Sequence, residues 1–281
     1  MTKKTEKTDA VQLWTPSEFK GSDLLPMNAT PATEALAVEG VPLVGSENIE
    51  QQDLVLPQLS LLQGMSEAVT SEQGPENAKP GRFLHTLTQD IYEPPLRVLL
   101  VYHWKSRAMF PKEQDSRFAG VEACMSPDGK VGSVYGSCDE CDYTQWGENR
   151  QAPMCSEAHN FVAMTDAGPA VLRFSRTSFK AARKFLSGFA MAQAQGKNLW
   201  AHPAIVTTKS ASKQVQGKNV TYYMMEVAWQ QSEAVPPDWH KAAYALYQQV
   251  SAAHKRGGLG AQEEKPSQPS ATQRDFGDVP Y

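Results

Sequence analysis

Cysteine is scarce in this chain. Four occur among 281 residues, all within the 32 positions from Cys124 to Cys155. Long apolar runs are missing too. Segments such as LRVLLVY at 96–102 fall far short of the roughly 20 residues a membrane helix needs. The basic start MTKKTEKTDA is followed by no apolar segment, which argues against a secretory signal. The expected setting is therefore cytoplasmic and reducing, with no membrane partner, where disulfides are disfavoured. There is no Walker loop, G-x-S-x-G, H-E-x-x-H or G-x-G-x-x-G, so the sequence does not point to an enzyme or to catalytic residues.

The few cysteines are regularly placed. Cys138 and Cys141 form a C-x2-C pair, and Cys124 and Cys155 each stand 13 intervening residues away from it. A C-x2-C turn aims two thiolates at one ion, and two more complete the tetrahedral set of a closed structural zinc site. The expected cofactor is one structural Zn²⁺ on Cys124, Cys138, Cys141 and Cys155. An iron–sulfur cluster takes the same four ligands. A redox pair is disfavoured because CDECDY is acidic.

Charge divides the chain in three. Residues 1–81 hold 5 Lys/Arg against 12 Asp/Glu, residues 82–258 hold 20 against 15, and residues 259–281 hold 2 against 4. A basic middle between acidic ends is hidden by the overall net charge of −4. Residues 1–54 are poor in aromatics and rich in Glu, Thr, Pro and Ala, and read as a largely disordered acidic segment. Residues 55–256 read as the folded core, with the cysteine insertion at 120–158. Residues 257–281 read as a disordered acidic tail.

Within the core the pattern is β-rich. GRFLHTLT (81–88) alternates, and PLRVLLVYHWKSRAMF (95–110) reads as one long strand carrying Leu96, Val98, Leu100, Tyr102 and Trp104 on a single face. HNFVAMT and AVLRFS flank a turn at 166–169, and AIVTTK and NVTYYMMEVAW flank the polar loop SASKQVQGK, giving two hairpins. One helix is expected from Thr177 or Ser178 to Gly196, and a second from Asp238 towards Gly257. The fold class this predicts is β-rich α+β: an OB-like small barrel with a four-cysteine zinc-ribbon insertion, flanking helices and disordered termini. A sandwich is the other architecture these strands allow.

Aromatic and basic residues interleave on two stretches. Tyr102, Trp104, Lys105 and Arg107 fall within YHWKSR. Arg173, Phe174, Arg176 and Lys180 fall within LRFSRTSFK, followed by Arg183 and Lys184. Single-stranded nucleic acid is bound this way, with bases stacking on rings and cations following phosphates. These ten residues are the expected nucleic-acid contacts.

The last residues, DFGDVPY, combine Asp275 and Asp278 with Phe276, Pro280 and Tyr281. They resemble the acidic tips of single-stranded-DNA-binding proteins, which end in Ile/Val-Pro-Phe. The cysteine frame within a β-rich core resembles the zinc-containing helix-destabilising proteins of tailed bacteriophages. An all-Cys set departs from the three-Cys-one-His set of the T-even member. The resemblance implies a bacteriophage protein of the host cytoplasm that coats single-stranded DNA in replication, recombination and repair. It also implies cooperative self-association on DNA and recruitment of replication or recombination proteins through the five tail residues. The alternative is a zinc-ribbon protein-interaction or transcription-regulating module without strong DNA binding.

Overall fold

The computed structural model describes residues 56–256, except 112–116, 118–119, 149–150, 166–167 and 216–217. The elements run β1 (Leu59–Leu61), α1 (Glu67–Thr70), β2 (Phe83–His85), β3 (Ile91–Tyr92), β4 (Leu96–Met109), β5 (Cys124–Ser126), β6 (Val131–Gly132), β7 (Gly136–Ser137), β8 (Ser156–Thr165), β9 (Gly168–Ser175), α2 (Phe179–Gln193), β10 (Ala204–Val215), β11 (Lys218–Trp229) and α3 (Pro237–Lys255). The main sheet has the order β11-β10-β4-β8-β9, all antiparallel, with β5 paired to the far end of β4.

The β-rich α+β class is as expected, but the sheet does not close into a barrel. Its two edges, β9 and β11, are not paired with each other. Residues 57–63 lie across the gap instead. Gln58 bridges to Val171 on β9, and the Gln63 amide pairs with both backbone groups of Tyr223 on β11, each at 2.9 Å. Closure is unnecessary because helices cover the sheet. α2 packs Phe185 against Phe161 and Trp229 on one face, and α3 brings Tyr247 and His254 onto Tyr102 of the other.

β4 carries an irregularity that decides which residues meet which helix. Leu100 opposes Ala163, but Tyr102 opposes Val162, so Val101 is an extra residue. The slip inverts the pleat. Leu96, Val98 and Leu100 face α2, whereas Tyr102 and Trp104 face α3. The single five-residue face expected from the sequence is therefore two faces.

Other expectations shift at their edges. α2 ends before Gly196, whose φ of +78° suits the residue just beyond a helix. α3 starts one residue before Asp238, with Pro236 as N-cap and Pro237 at its first position. The polar stretch expected as a loop between AIVTTK and NVTYYMMEVAW is itself strand: β10 and β11 pair continuously from Ala204↔Trp229 to Val215↔Lys218. Only Ala204–Val206 also pairs with β4. The rest of the hairpin extends beyond the sheet as a two-stranded ribbon.

Candidate metal centre and nucleic-acid interface

The cysteine module is built on the ends of two long strands. β4 delivers Met109, β5 pairs back with Met109 opposite Cys124, and Cys155 directly precedes β8. The turn after β5 is held by Asp128, whose carboxylate accepts from the Lys130 amide at 2.8 Å and from the Ser126 hydroxyl at 3.0 Å. Burial alone would raise that carboxyl's pKa, but these donors leave it below its ordinary value. The Cys138 amide donates to the Lys130 carbonyl at 2.7 Å, and the Cys155 amide to the Tyr143 carbonyl at 2.9 Å. Thr144 Oγ1 closes the knuckle by donating to the carbonyls of Cys138 (3.1 Å) and Cys141 (2.8 Å).

All four cysteines line one cavity of about 10 Å³, together with Arg107, Met109, Tyr135 and Tyr143. That is room for about one water-sized occupant. Gly132 has no Cβ where one would stand 2.7 Å from Cys124 Sγ and 4.0 Å from Cys138 Sγ, so only glycine leaves these sulfurs their space. Burial pushes the Cys155 thiol up to about 12, against the pull of Arg107, with the other three cysteines adding to the rise. Among the described residues, no group of three or more His, Cys, Asp or Glu side chains stands ready to hold an ion. The thiols therefore ring the cavity without having closed to ligand geometry. The donor set nonetheless fits a thiophilic ion, since four soft ligands share one atom-sized space.

The expected nucleic-acid contacts are placed less uniformly. Trp104 is 4% exposed and Phe174 is 0% exposed, both in the main core. A ring without an open face cannot stack on a base, which withdraws these two as platforms. Tyr102 is half-buried beneath α3, its hydroxyl 2.8 Å from His254 Nδ1 and its ring beside Trp104 and Tyr247. Lys105 and Arg107 share Glu157, at 2.8 and 2.5 Å. Burial works to raise the Glu157 carboxyl's pKa, yet the two cations outweigh it and hold that pKa low. Arg173 is half-buried on β9.

The remaining four lie together and outward. Arg176 leads into α2, whose exposed side carries Lys180, Arg183 and Lys184 and whose 15 residues include no acid. Arg183 stands 6.0 Å over the Phe179 ring, which also stacks on His159 at 4.6 Å. His159 in turn meets His103 at 2.9 Å.

A broader signal was missed in the sequence reading. Between Asp166 and Glu226 there is no Asp or Glu at all, while nine Lys and Arg occur. That run folds into β9, α2, β10 and most of β11, and Ser178 Oγ ties the start of α2 to the Met225 amide at 2.9 Å. The cysteine module is the opposite. Residues 120–155 hold six Asp/Glu and two Lys/Arg. Counting charge by stretches shorter than the whole core would have found both.

Residues 1–55 and the tail residues Asp275, Phe276, Asp278, Pro280 and Tyr281 lie outside the described residues. No helix among the described residues is long and apolar enough to cross a membrane. A family model described as Pam3 phage gp34-like protein matches residues 28–256. No curated protein and no solved structure matches the chain.

Proposed function

The chain belongs to the Pam3 phage gp34-like protein family, and from that premise we propose that it is a phage single-stranded DNA-binding protein whose cysteine module is stapled by one structural zinc. The observation that carries the reading is the acid-free run between Asp166 and Glu226, which presents Arg176, Lys180, Arg183 and Lys184 on one outer side. Exposed cations gain by exchanging condensed counterions for phosphates. Lys105 and Arg107, already neutralised by Glu157, gain much less. The acidic module would repel a phosphate backbone, so its role in this reading is architectural, with Cys124, Cys138, Cys141 and Cys155 holding the ion. A bound zinc supplies folding energy to such a site rather than chemistry.

The test is a titration of the full chain with single-stranded and duplex DNA at several salt concentrations. Tighter binding to the single strand is expected, with log affinity falling linearly in log salt. Substituting Lys180, Arg183 and Lys184 together by Gln should shallow that slope by about 2, at about 0.7 per lost contact on a single strand. Equal or better binding to duplex would overturn the reading.

One observation favours a second reading, a protein-interaction module. Met125, Val131, Val134 and Trp146, the last 67% exposed, all project from the cysteine module. If partner proteins bind through this surface and DNA does not bind at all, Trp146→Ala should abolish capture of those partners.

A further inference from the structure

The register of the β10–β11 ribbon sorts its side chains cleanly. Lys209 opposes Met224, Ala211 opposes Tyr222, and Lys213 opposes Val220. Opposed residues share a face, so two lysines, a tyrosine and three apolar groups lie on one side. The other side carries Ser210, Ser212, Gln214, Asn219 and Thr221, with Tyr223 opposite Ser210 at its base and Ser212 and Thr221 hydrogen-bonded to each other at 3.2 Å. Lys209 and Lys213 are exposed, and Tyr222 is half-buried. Five residue pairs continue past the Gln63–Tyr223 contact, which projects the ribbon by about 17 Å.

The lysine side of the ribbon continues a definite face of the sheet. Ala204 opposes Val98 and Trp229, on the α2 side, so Ile205, Lys209 and Lys213 fall on the α3 side. α3 stands over Tyr102 and Trp104 on β4, and β10–β11 beyond it is open on this face: Ile205 and Thr207 are half-buried, and Glu226 and Ala228 are exposed. On α3 itself, Tyr244 and Tyr247 are 53% and 37% exposed. Their rings are stacked at 6.4 Å and 15°, and Tyr247 is braced from below by Tyr102 and Trp200. A braced pair keeps its ring faces presented without the entropy cost of ordering them on binding.

We propose that this α3 side is a single-stranded nucleic-acid track, with Lys209 and Lys213 of the ribbon holding phosphates and Tyr222, Tyr244 and Tyr247 offering ring faces to bases. The inference rests on the DNA-binding reading above and gives it the aromatic platform that buried Trp104 and Phe174 cannot supply. Cations on the ribbon and exposed rings on α3, set on one side of the sheet with Glu226 as the one carboxylate at the foot of the ribbon, suit a strand bound without sequence preference. Lysines on a free ribbon also protect its edges from pairing with other strands. The experiment separates that role from binding.

The full chain is titrated with dye-labelled oligothymidylate at several salt concentrations. Lys209→Gln with Lys213→Gln should weaken binding about tenfold near 0.1 M salt and shallow the log–log slope by about 1.4, at about 0.7 per phosphate. Tyr244→Ala should weaken binding about tenfold while leaving the salt slope unchanged, and Tyr244→Phe should restore it. Wild-type affinity in both sets, with loss in the Lys180/Arg183/Lys184 variant, would overturn the α3 track and leave the DNA-binding reading standing. Lysine variants that aggregate but bind as wild type while soluble would overturn it likewise. No binding by the wild-type chain would overturn both.

Discussion

The cysteine module and the helix-covered sheet hold together by different means. The sheet and its helices share one cluster of 29 buried apolar residues, from Leu59 to Ala253. The module's own cluster has two, Met109 and Cys124, with Val121, Tyr135, Tyr143, Met154 and Cys155 partly buried around them. A segment of some 35 residues with so little core needs a staple. The charges differ as well, six acids in the module against none in the run from β9 into β11. One region is organised around an atom-sized cavity and carries an excess of acids, while the other is held by burial and its run from β9 into β11 carries only cations.

The sharpest way to break this comparison is to test the proposed zinc staple. One zinc per chain is expected by elemental analysis. Cys138→Ser or a strong chelator should abolish amide-exchange protection across 124–155 while β4 and β8 keep theirs near Leu100 and Ala163. Structural zinc in small modules contributes about 10–16 kcal/mol of apparent binding energy, and here that energy would be local folding energy. A metal-free protein with the module fully protected would refute the zinc reading. Iron in place of zinc would change the ion but keep the site.

The opposite perturbation strikes the core. Phe161 is fully buried between Phe174 and Phe185, in edge-to-face contact with both. Phe161→Ala should cost about 3–5 kcal/mol and lower stability of the whole chain, because the space cannot collapse between two packed rings. Its expected signature in denaturant melts is one global loss, whereas metal removal should add an early, separate transition. Identical unfolding curves for the two perturbations would show that module and sheet are one cooperative unit.

How much of this was legible depended on whether the deciding interaction was local. The hairpins at β8–β9 and β10–β11, both long helices and the shared face of Thr221, Tyr223, Met225, Val227 and Trp229 followed from periodicity and turn residues. The two faces of β4 did not, because the bulge at Val101 is fixed by pairing with β8 and no residue there announces it. Trp104 beside Lys105 looked like a binding pair. Their side chains point to opposite faces, one under α3 and one towards Glu157. SASKQVQGK looked like a loop because neither face of the ribbon is buried, which removes the alternation that marks a strand. Spacing alone pointed to one shared site for the four cysteines; they line one cavity, but among the described residues no group of three or more stands ready to hold an ion.

A smaller test concerns His103 and His159, which bridge β4 and β8 under Phe179. Burial pushes both down to about 4; for His103 its partner His159 and then Lys105 add to the push, and for His159 Lys105 and Arg183 add while Glu157 opposes. A folded-state pKa below the ordinary 6.5 means that the unfolded chain takes protons first as pH falls. The stability that the two histidines contribute should therefore drop between about pH 6.5 and pH 4 and level off below. His103→Gln keeps a polar partner for His159 but removes one titrating group. Urea midpoints for this variant should fall less steeply over that window than for the wild type at equal metal content. The same slope in both would place the acid-sensitive group elsewhere.

The smallest expected effect tests the charge side of the comparison. Residues 259–281 hold four acids and two cations. If they compete with DNA for the cationic run, deleting them should raise single-strand affinity by a few-fold at low salt, and the gain should fade near 0.15 M, where the screening length is about 8 Å. The competition is one of mass action between a tethered acidic segment and free phosphate, so longer oligonucleotides should show less of it. Tyr281→Ala keeps every side-chain charge. It should leave DNA affinity within error while weakening capture of replication or recombination proteins through Phe276, Pro280 and Tyr281. An unchanged affinity after deletion at every salt concentration would confine the charge contrast to residues 56–256. A Tyr281→Ala variant that gains DNA affinity as the deletion does would show that the ring, and not the acids, occupies the cationic surface.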